Sequence, residues 1–389
     1  MTLSFVNGQV LTEDGFSADA IVVVAHGRIV EVRSGAVPAA GEIVDLEGRY
    51  LVPGFIDVQV NGGGDVLFNT APTLAGVRRI AQAHRGFGTT GMLPTLISDD
   101  AAVMHQAIAA VRDAIAQGVP GVLGIHLEGP YLAAARKGVH DQGKFRLPDA
   151  SEIELVASLG VGKTLLTLAP ERFSAEVLRA LSARGVILSA GHTSANYQQL
   201  RAGFAAGVRG VTHLFNAMTA MTSREPGAVG AALDDPHSWC GVIADGHHVH
   251  EASLRIAIAA KPRGKVFLVT DAMPPLGGAK ADFDLYGDTI SCRDGRCTRA
   301  DGTLAGSALD MASAVRHCVR RLGVPLAEAC RMAATYPAEF LGLGHERGRI
   351  AAGCRADLVV LDEQIIAAET WIGGERSRRL QPKRNEVRD

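Results

Sequence analysis

The stretch LVPGFIDVQVNGGG, residues 51–64, decides how the chain is read. An apolar run from Phe55 to Val60 ends in three consecutive glycines. A buried strand ends this way where it opens onto a loop that must pass close to another group. The end of the run carries two neutral amides, Gln59 and Asn61, where a metal-shaped pocket would call for stronger ligands.

On the N-terminal side of this stretch, residues 1–50 alternate short apolar runs with turn signals, and Asn7-Gly8 and His26-Gly27 suit hairpin turns. This piece is all-β and incomplete alone. The C-terminal run RGRIAAGCRADLVVLDEQ has the same glycine-punctuated, β-branched character. We expect one β-sandwich domain built from both chain ends, residues 1–50 plus 345–389, around a central domain of residues 51–344.

On the C-terminal side, β-rich apolar runs alternate with helical windows such as TLAGVRRIAQAHRGF and DAAVMHQAIAAVRDAIAQ. The expected strands are 55–60, 89–96, 122–128, 164–168, 186–190, 210–213, 241–244 and 266–270. Eight βα repeats fit a (β/α)8 TIM-type barrel. An open doubly wound sheet is the alternative, but no G-x-G-x-x-G follows the first strand and polar residues gather at several strand ends. Residues 274–306 exceed a plain loop and read as a hairpin excursion over the barrel mouth.

Composition narrows the function. A 389-residue chain that is 47% hydrophobic and 21% charged, with a formal net charge of -2, can bury a large core. Basic residues are scattered except in the tail ERSRRLQPKRNEVRD, so we expect no nucleic-acid face and no membrane patch. No apolar run approaches the ~18 residues of a membrane span, and the N-terminus lacks a signal-peptide layout. The expected setting is cytoplasmic and the expected partner a small molecule. Six cysteines are too sparse for a disulfide scaffold. Cys292 and Cys297, flanking a hairpin, are expected as free thiols, a metal or redox role being the lesser alternative.

In a barrel of this type the chemistry sits at the C-terminal strand ends. Strand three ends in GIHLEGPY with Glu128, strand five in LSAGHTS with His192, strand six in VTHLFNAM with His213, and strand eight in VTDAMPP with Asp271. Glu128, His192 and His213 form a two-histidine, one-carboxylate set, a usual catalytic shell for one divalent ion with a position left for water. Asp271 is then a spare carboxylate able to accept a proton and pass it to a leaving group. Each residue alone has a plainer reading: a buried histidine is commonly a hydrogen-bonded core residue, and Asp271 could cap a turn. His126, two residues before Glu128, stays open between support of the site and core packing.

The runs VPGFIDVQVNGGG, HLEGPY, KGVHD, AGHT, THLFNAM, IADGHHV, VTDAM and TLAGSALDM resemble the N-acetylglucosamine-6-phosphate deacetylases of the amidohydrolase superfamily. That resemblance implies hydrolysis of N-acetylglucosamine 6-phosphate to glucosamine 6-phosphate and acetate. It further implies a metal-activated water, Asp271 as general base and acid, and His140 of KGVHD beside the acetyl group. Asn216, Ala217, Arg224 and His248 match the family's substrate contacts, and Val139 with Leu304, Ala305 and Gly306 would line the sugar through backbone. A loop bearing Arg224 that reaches a neighbouring subunit implies a homodimer. Relatives with a His-x-His start hold a second, deeper metal, so Gln59 and Asn61 imply one ion per subunit, with zinc expected and iron, cobalt or manganese open. Dihydroorotase-like relatives use a carboxylated lysine on strand four, whereas Lys163 here opens that strand. Two rival functions stay open: another amidohydrolase acting on a cyclic amide or N-acyl substrate, and an inactive protein that binds amino-sugar phosphates.

Overall fold

A computed structural model describes residues 2–35 and 41–377. Most of the basic tail and the end of the expected terminal domain, residues 378–389, lie outside the described residues, as do residues 1 and 36–40.

Eight parallel strands alternate with eight helices along the chain. The strands are β1 (Phe55–Val60), β2 (Thr89–Ile97), β3 (Gly124–Glu128), β4 (Lys163–Leu168), β5 (Ile187–Ala190), β6 (Val208–Val211), β7 (Trp239–Val242) and β8 (Val266–Leu268). The helices are α1 (Leu74–Arg85), α2 (Ala101–Ala116), α3 (Ala150–Val156), α4 (Ala175–Ala183), α5 (Tyr197–Ala205), α6 (Gly227–Asp234), α7 (Glu251–Ala260) and α8 (Met311–Leu322). Each strand pairs with its sequence neighbours, so the sheet order follows chain order. β1 and β2 are buried along their whole length, as expected of a parallel sheet covered by helices. Past the end of β8 the chain returns to β1. The N–H of Asp271 donates to the Gln59 carbonyl at 3.0 Å, and those of Asn61 and Gly62 donate to the Ala272 carbonyl at 2.9 Å, closing the barrel at its C-terminal rim.

Local signals start the helices. The Thr73 hydroxyl accepts the Gly76 N–H at 3.1 Å to open α1, Asn196 and Gln199 form a capping box on α5, and Asp310 caps α8, which stops at Gly323 with φ +73°. α2 buries Met104, Ala107, Ile108, Val111 and Ala114, one stripe at helical spacing turned to the sheet. Several expected strands run too far. The sixth and seventh end two residues earlier than expected: Thr212 and His213, and Ile243 and Ala244, are buried but lie beyond the paired strand segments.

The chain ends meet in two further sheets. A four-stranded sheet runs Arg28–Arg33, Ile21–Ala25, Thr2–Val6, Glu42–Asp45, and a six-stranded one runs Glu375–Ser377, Ala367–Ile372, Leu358–Leu361, Tyr50–Pro53, Gln9–Leu11, Phe16–Ser17. Tyr50–Pro53 pairs antiparallel with Leu358–Leu361, so the chain passes from this sheet to the barrel at Gly54. Phe5 and Trp371 meet edge to face at 5.1 Å in their shared core. Burying each such large side chain contributes roughly 1.5–3 kcal/mol.

The excursion after β8 forms an antiparallel sheet of β9 (Asp282–Leu285), β10 (Asp288–Arg293), β11 (Arg296–Thr298) and β12 (Leu304–Ser307). Its apolar face covers Leu67, Ile97, Val139 and Met273 at the barrel rim. The expectation of free thiols here is corrected: Cys292 and Cys297 are joined in a disulfide, because they face each other directly across the β10–β11 pair with Cα atoms 4.0 Å apart.

Candidate active site

Glu128 is the last residue of β3, while His192, His213 and Asp271 lie two or three residues beyond β5, β6 and β8. The three that follow strands have left-handed backbones, with φ of 48°, 33° and 54°. Non-glycine residues rarely adopt this conformation, and where they do, strain is often held for function. Here it turns each side chain off its strand and towards the barrel axis.

Three ligand-type atoms converge. Nε2 of His213 lies 2.9 Å and Nε2 of His192 lies 3.2 Å from Glu128 Oε1, and the two nitrogens are 3.1 Å apart. All three side chains are nearly inaccessible. His192 Nδ1 sits 2.8 Å from the Arg136 carbonyl, which can only accept, so Nδ1 carries a proton and Nε2 faces the Glu128 oxygen as a donor in the charged ring or as a lone pair in the neutral one. A lone pair facing a carboxylate oxygen is repulsive until a cation lies between them. Ligands bonded tetrahedrally at ~2.0–2.1 Å stand roughly 3.3 Å apart, close to the observed spacings. The donor set therefore fits one divalent ion. His140, with a ring nitrogen within 4.8 Å of the Glu128 and His192 ligand atoms, lies beside this group.

Protonation follows from burial and neighbours. Burial would raise Glu128, yet hydrogen bonds from His192 and His213 and their charges hold its carboxyl well below the usual range. Burial would lower His213, but Glu128 lifts it above the ordinary imidazole value. Asp271 is pushed up to about 6, first by burial and then by the negative Glu128. Burial, reinforced by His192, holds His140 well below the ordinary imidazole value and therefore neutral.

Gln59 and Asn61 fill the place of the missing histidines with hydrogen bonds. Gln59 Nε2 lies 3.2 Å from both Glu128 oxygens and 3.2 Å from Asp271 Oδ1, and Asn61 Nδ2 lies 2.5 Å from the same Asp271 oxygen. His126 belongs to the barrel interior: fully buried, it bonds Thr95 Oγ1 at 3.2 Å and Thr167 Oγ1 at 2.8 Å, and burial lowers it to about 4.

The other expected site residues divide. His248 is held by Asp245 (Nδ1 to Oδ2, 2.6 Å), and its charge lowers Asp271, placing it on the same side of the mouth. Asn216 Nδ2 donates to the His213 carbonyl at 3.2 Å, and Ala217, with φ +50°, accepts from the Thr193 N–H, so both brace the two histidine turns. Val139 packs beneath the β9–β12 sheet and its carbonyl accepts from Arg299. Leu304, Ala305 and Gly306 form β12, which Ser307 ties to the Asp271 carbonyl at 3.0 Å. Arg224 is exposed and has no side-chain hydrogen bond or ion pair among the described residues, so the single chain does not bring it to the site.

Sequence reasoning missed Asp57, Ser98, Asp245 and Thr270. Asp57 is wholly buried and accepts the Thr270 hydroxyl at 2.5 Å, tying β1 to the segment that ends in Asp271. Its signal was available, since 57, 59 and 61 alternate onto one strand face.

A profile of the amidohydrolase family matches residues 50–381. An N-acetylgalactosamine-6-phosphate deacetylase of a Shewanella species is 43% identical over 373 residues, 94% of each chain. The human N-acetylglucosamine-6-phosphate deacetylase is 39% identical over 352 residues, 86% of this chain and 85% of that protein. The crystal structure of the N-acetylglucosamine-6-phosphate deacetylase from Pasteurella multocida superposes with a TM-score of 0.93 at 32% identity, covering 97% of this chain and 99% of that one.

Proposed function

Because the chain belongs to the amidohydrolase family, we propose that it is a metal-dependent deacetylase converting N-acetylglucosamine 6-phosphate and water to glucosamine 6-phosphate and acetate. The observation that carries this reading is the convergence of Glu128 Oε1 with the Nε2 atoms of His192 and His213, with the separate carboxylate of Asp271 nearby, bridged to Glu128 by Gln59.

In this reading Glu128, His192 and His213 hold one zinc ion. A bound divalent ion supplies a nucleophile at neutral pH by lowering the pKa of water. Asp271 is the general base and then delivers the proton to the departing amine, a role suited to a carboxyl poised near 6. His140 donates to the acetyl oxygen as negative charge develops there. His248, Asn216 and the Ala217 backbone orient the sugar, and Val139 with Leu304 to Gly306 lines it. The phosphate dianion needs a fork of donors that the exposed Arg224 can supply from the neighbouring subunit of a homodimer. A doubly charged sugar phosphate does not cross a bilayer unaided, which favours a cytoplasmic setting.

A second reading differs only at C4 of the sugar: the Shewanella relative, 43% identical, is named for the galactosamine epimer. Acetate release from both 6-phosphates and from unphosphorylated N-acetylglucosamine tests these readings together. The first requires the highest kcat/KM on the glucosamine compound, and the second on its epimer. Equal turnover without the phosphate would overturn both.

A further inference from the structure

We propose that Ser98 is a positioning residue that fixes the tautomer of His140, so that His140 offers an Nε2–H to the substrate. The proposal rests on the reading of His140 as a donor to the acetyl oxygen and goes beyond it by naming what makes it a donor. Ser98 directly follows β2 and is 1% exposed. Its backbone N–H points at His140 Nδ1 at 3.3 Å, and its Oγ lies 2.8 Å from the same nitrogen. A backbone N–H can only donate, so Nδ1 must carry a lone pair, and the Ser98 hydroxyl must then donate as well. With Nδ1 accepting, imidazolium is excluded and the single ring proton resides on Nε2. A neutral ring of the opposite tautomer would present a lone pair to the developing oxyanion and repel it.

Ser98 is itself clamped from two sides. The Tyr286 hydroxyl, from the turn between β9 and β10, donates to the Ser98 carbonyl at 2.5 Å. Across from it, Gly129 leaves room for the hydroxyl, since a Cβ there would collide with Ser98 Oγ. The His140 ring is held in turn against His192, with centroids 4.4 Å apart. Strand β2, the end of β3 and the covering sheet thus meet on one residue, whose hydroxyl faces Gly129 and His140 and whose carbonyl is held by Tyr286.

The test uses zinc-loaded protein labelled with 15N in histidine, with the His140 signals identified by their loss in His140→Asn. Native protein is expected to show His140 neutral with its proton on Nε2. Ser98→Ala removes the 2.8 Å hydroxyl contact and leaves Nδ1 only the longer 3.3 Å backbone N–H, so it is expected to show a share of Nδ1–H tautomer, a kcat lower by ~10- to 100-fold, the usual cost of removing an orienting partner, and a KM changed by less than about threefold. Ser98→Thr, which keeps the hydroxyl, should restore both. An Nδ1–H tautomer in native protein overturns the proposal, as does an unchanged tautomer in Ser98→Ala whatever happens to kcat. Should Ser98→Ala fail to fold, judged by its melting curve, the native spectrum and Ser98→Thr still decide the matter. His140→Asn separates the two levels: full turnover there removes the donor reading, while a large kcat loss with no tautomer change in Ser98→Ala leaves that reading standing and sinks the role of Ser98.

Discussion

Gln59 Nε2 lies 3.2 Å from each carboxylate oxygen of Glu128. The same nitrogen reaches Asp271, so one neutral amide separates two carboxylates that would otherwise repel across the space a second cation could occupy.

From this follows a metal count. Native protein is expected to hold about one divalent ion per chain, and Gln59→His combined with Asn61→His about two, because imidazoles replace amides that bind zinc poorly. Elemental analysis of dialysed protein decides it. Two ions per native chain would contradict the account of Gln59.

The acid side of the pH profile belongs to Asp271. A base must be ionised to act, and Asp271 is raised to about 6, so kcat should fall as pH drops through that value and level off above it. Asp271→Asn should lose at least ~100-fold in kcat, the lower scale for a general base, while keeping its ion. Gln59→Leu, which removes a donor to ionised Asp271, should move the acid limb upward. A limb that persists unchanged in Asp271→Asn would assign it elsewhere.

Stability should carry a second pH signature, from Asp57. Burial raises this carboxyl to about 7, well above its unfolded value, so the folded chain holds an extra proton between about pH 4 and 7. The folded state is therefore favoured at the acid end of that window and loses stability as pH rises through it, the loss being complete above about 7. Asp57→Asn, which cannot ionise, should raise stability at pH 8 by roughly 1–4 kcal/mol and do much less at pH 5. Urea midpoints at the two values check this, and an equal shift at both would exclude titration as the cause.

Gly306 marks where the covering sheet touches the catalytic segment. With φ +67°, a Cβ there would stand 2.8 Å from the Asp271 carbonyl oxygen and 2.7 Å from Met273 Cγ. Gly306→Ala should cost about 1–2 kcal/mol in backbone strain alone. By displacing Asp271 it should lower kcat by ~10-fold or more, since small misplacements are expensive. A variant with native kcat would show that Asp271 is insulated from β12.

Much of this was legible in the residues. The eight apolar runs and their capped helices announced the barrel because buried parallel strands and 3.6-residue periodicity leave strong local marks. Glu128, His192, His213 and Asp271 stood at strand ends, where barrel geometry makes position informative. Ser98 was not seen, since its partner His140 is 42 residues away in sequence, and the alternation that marks Asp57 did not reveal its partner Thr270, 213 residues away. Nothing local distinguishes such a serine from a loop residue. For Cys292 and Cys297 the hairpin was legible but its register was not, and it is the register that sets the two sulfurs face to face.

The pairing of Tyr50–Pro53 with Leu358–Leu361 has a bearing on biosynthesis. As the nascent chain leaves the ribosome, the segment just ahead of β1 must wait for some three hundred further residues before its neighbour emerges. Until then an apolar strand edge lies bare and open to association with other chains. A product terminated before residue 358 would carry every barrel strand and still present that sticky edge, so premature termination should yield aggregates even though the catalytic segment has been synthesised in full.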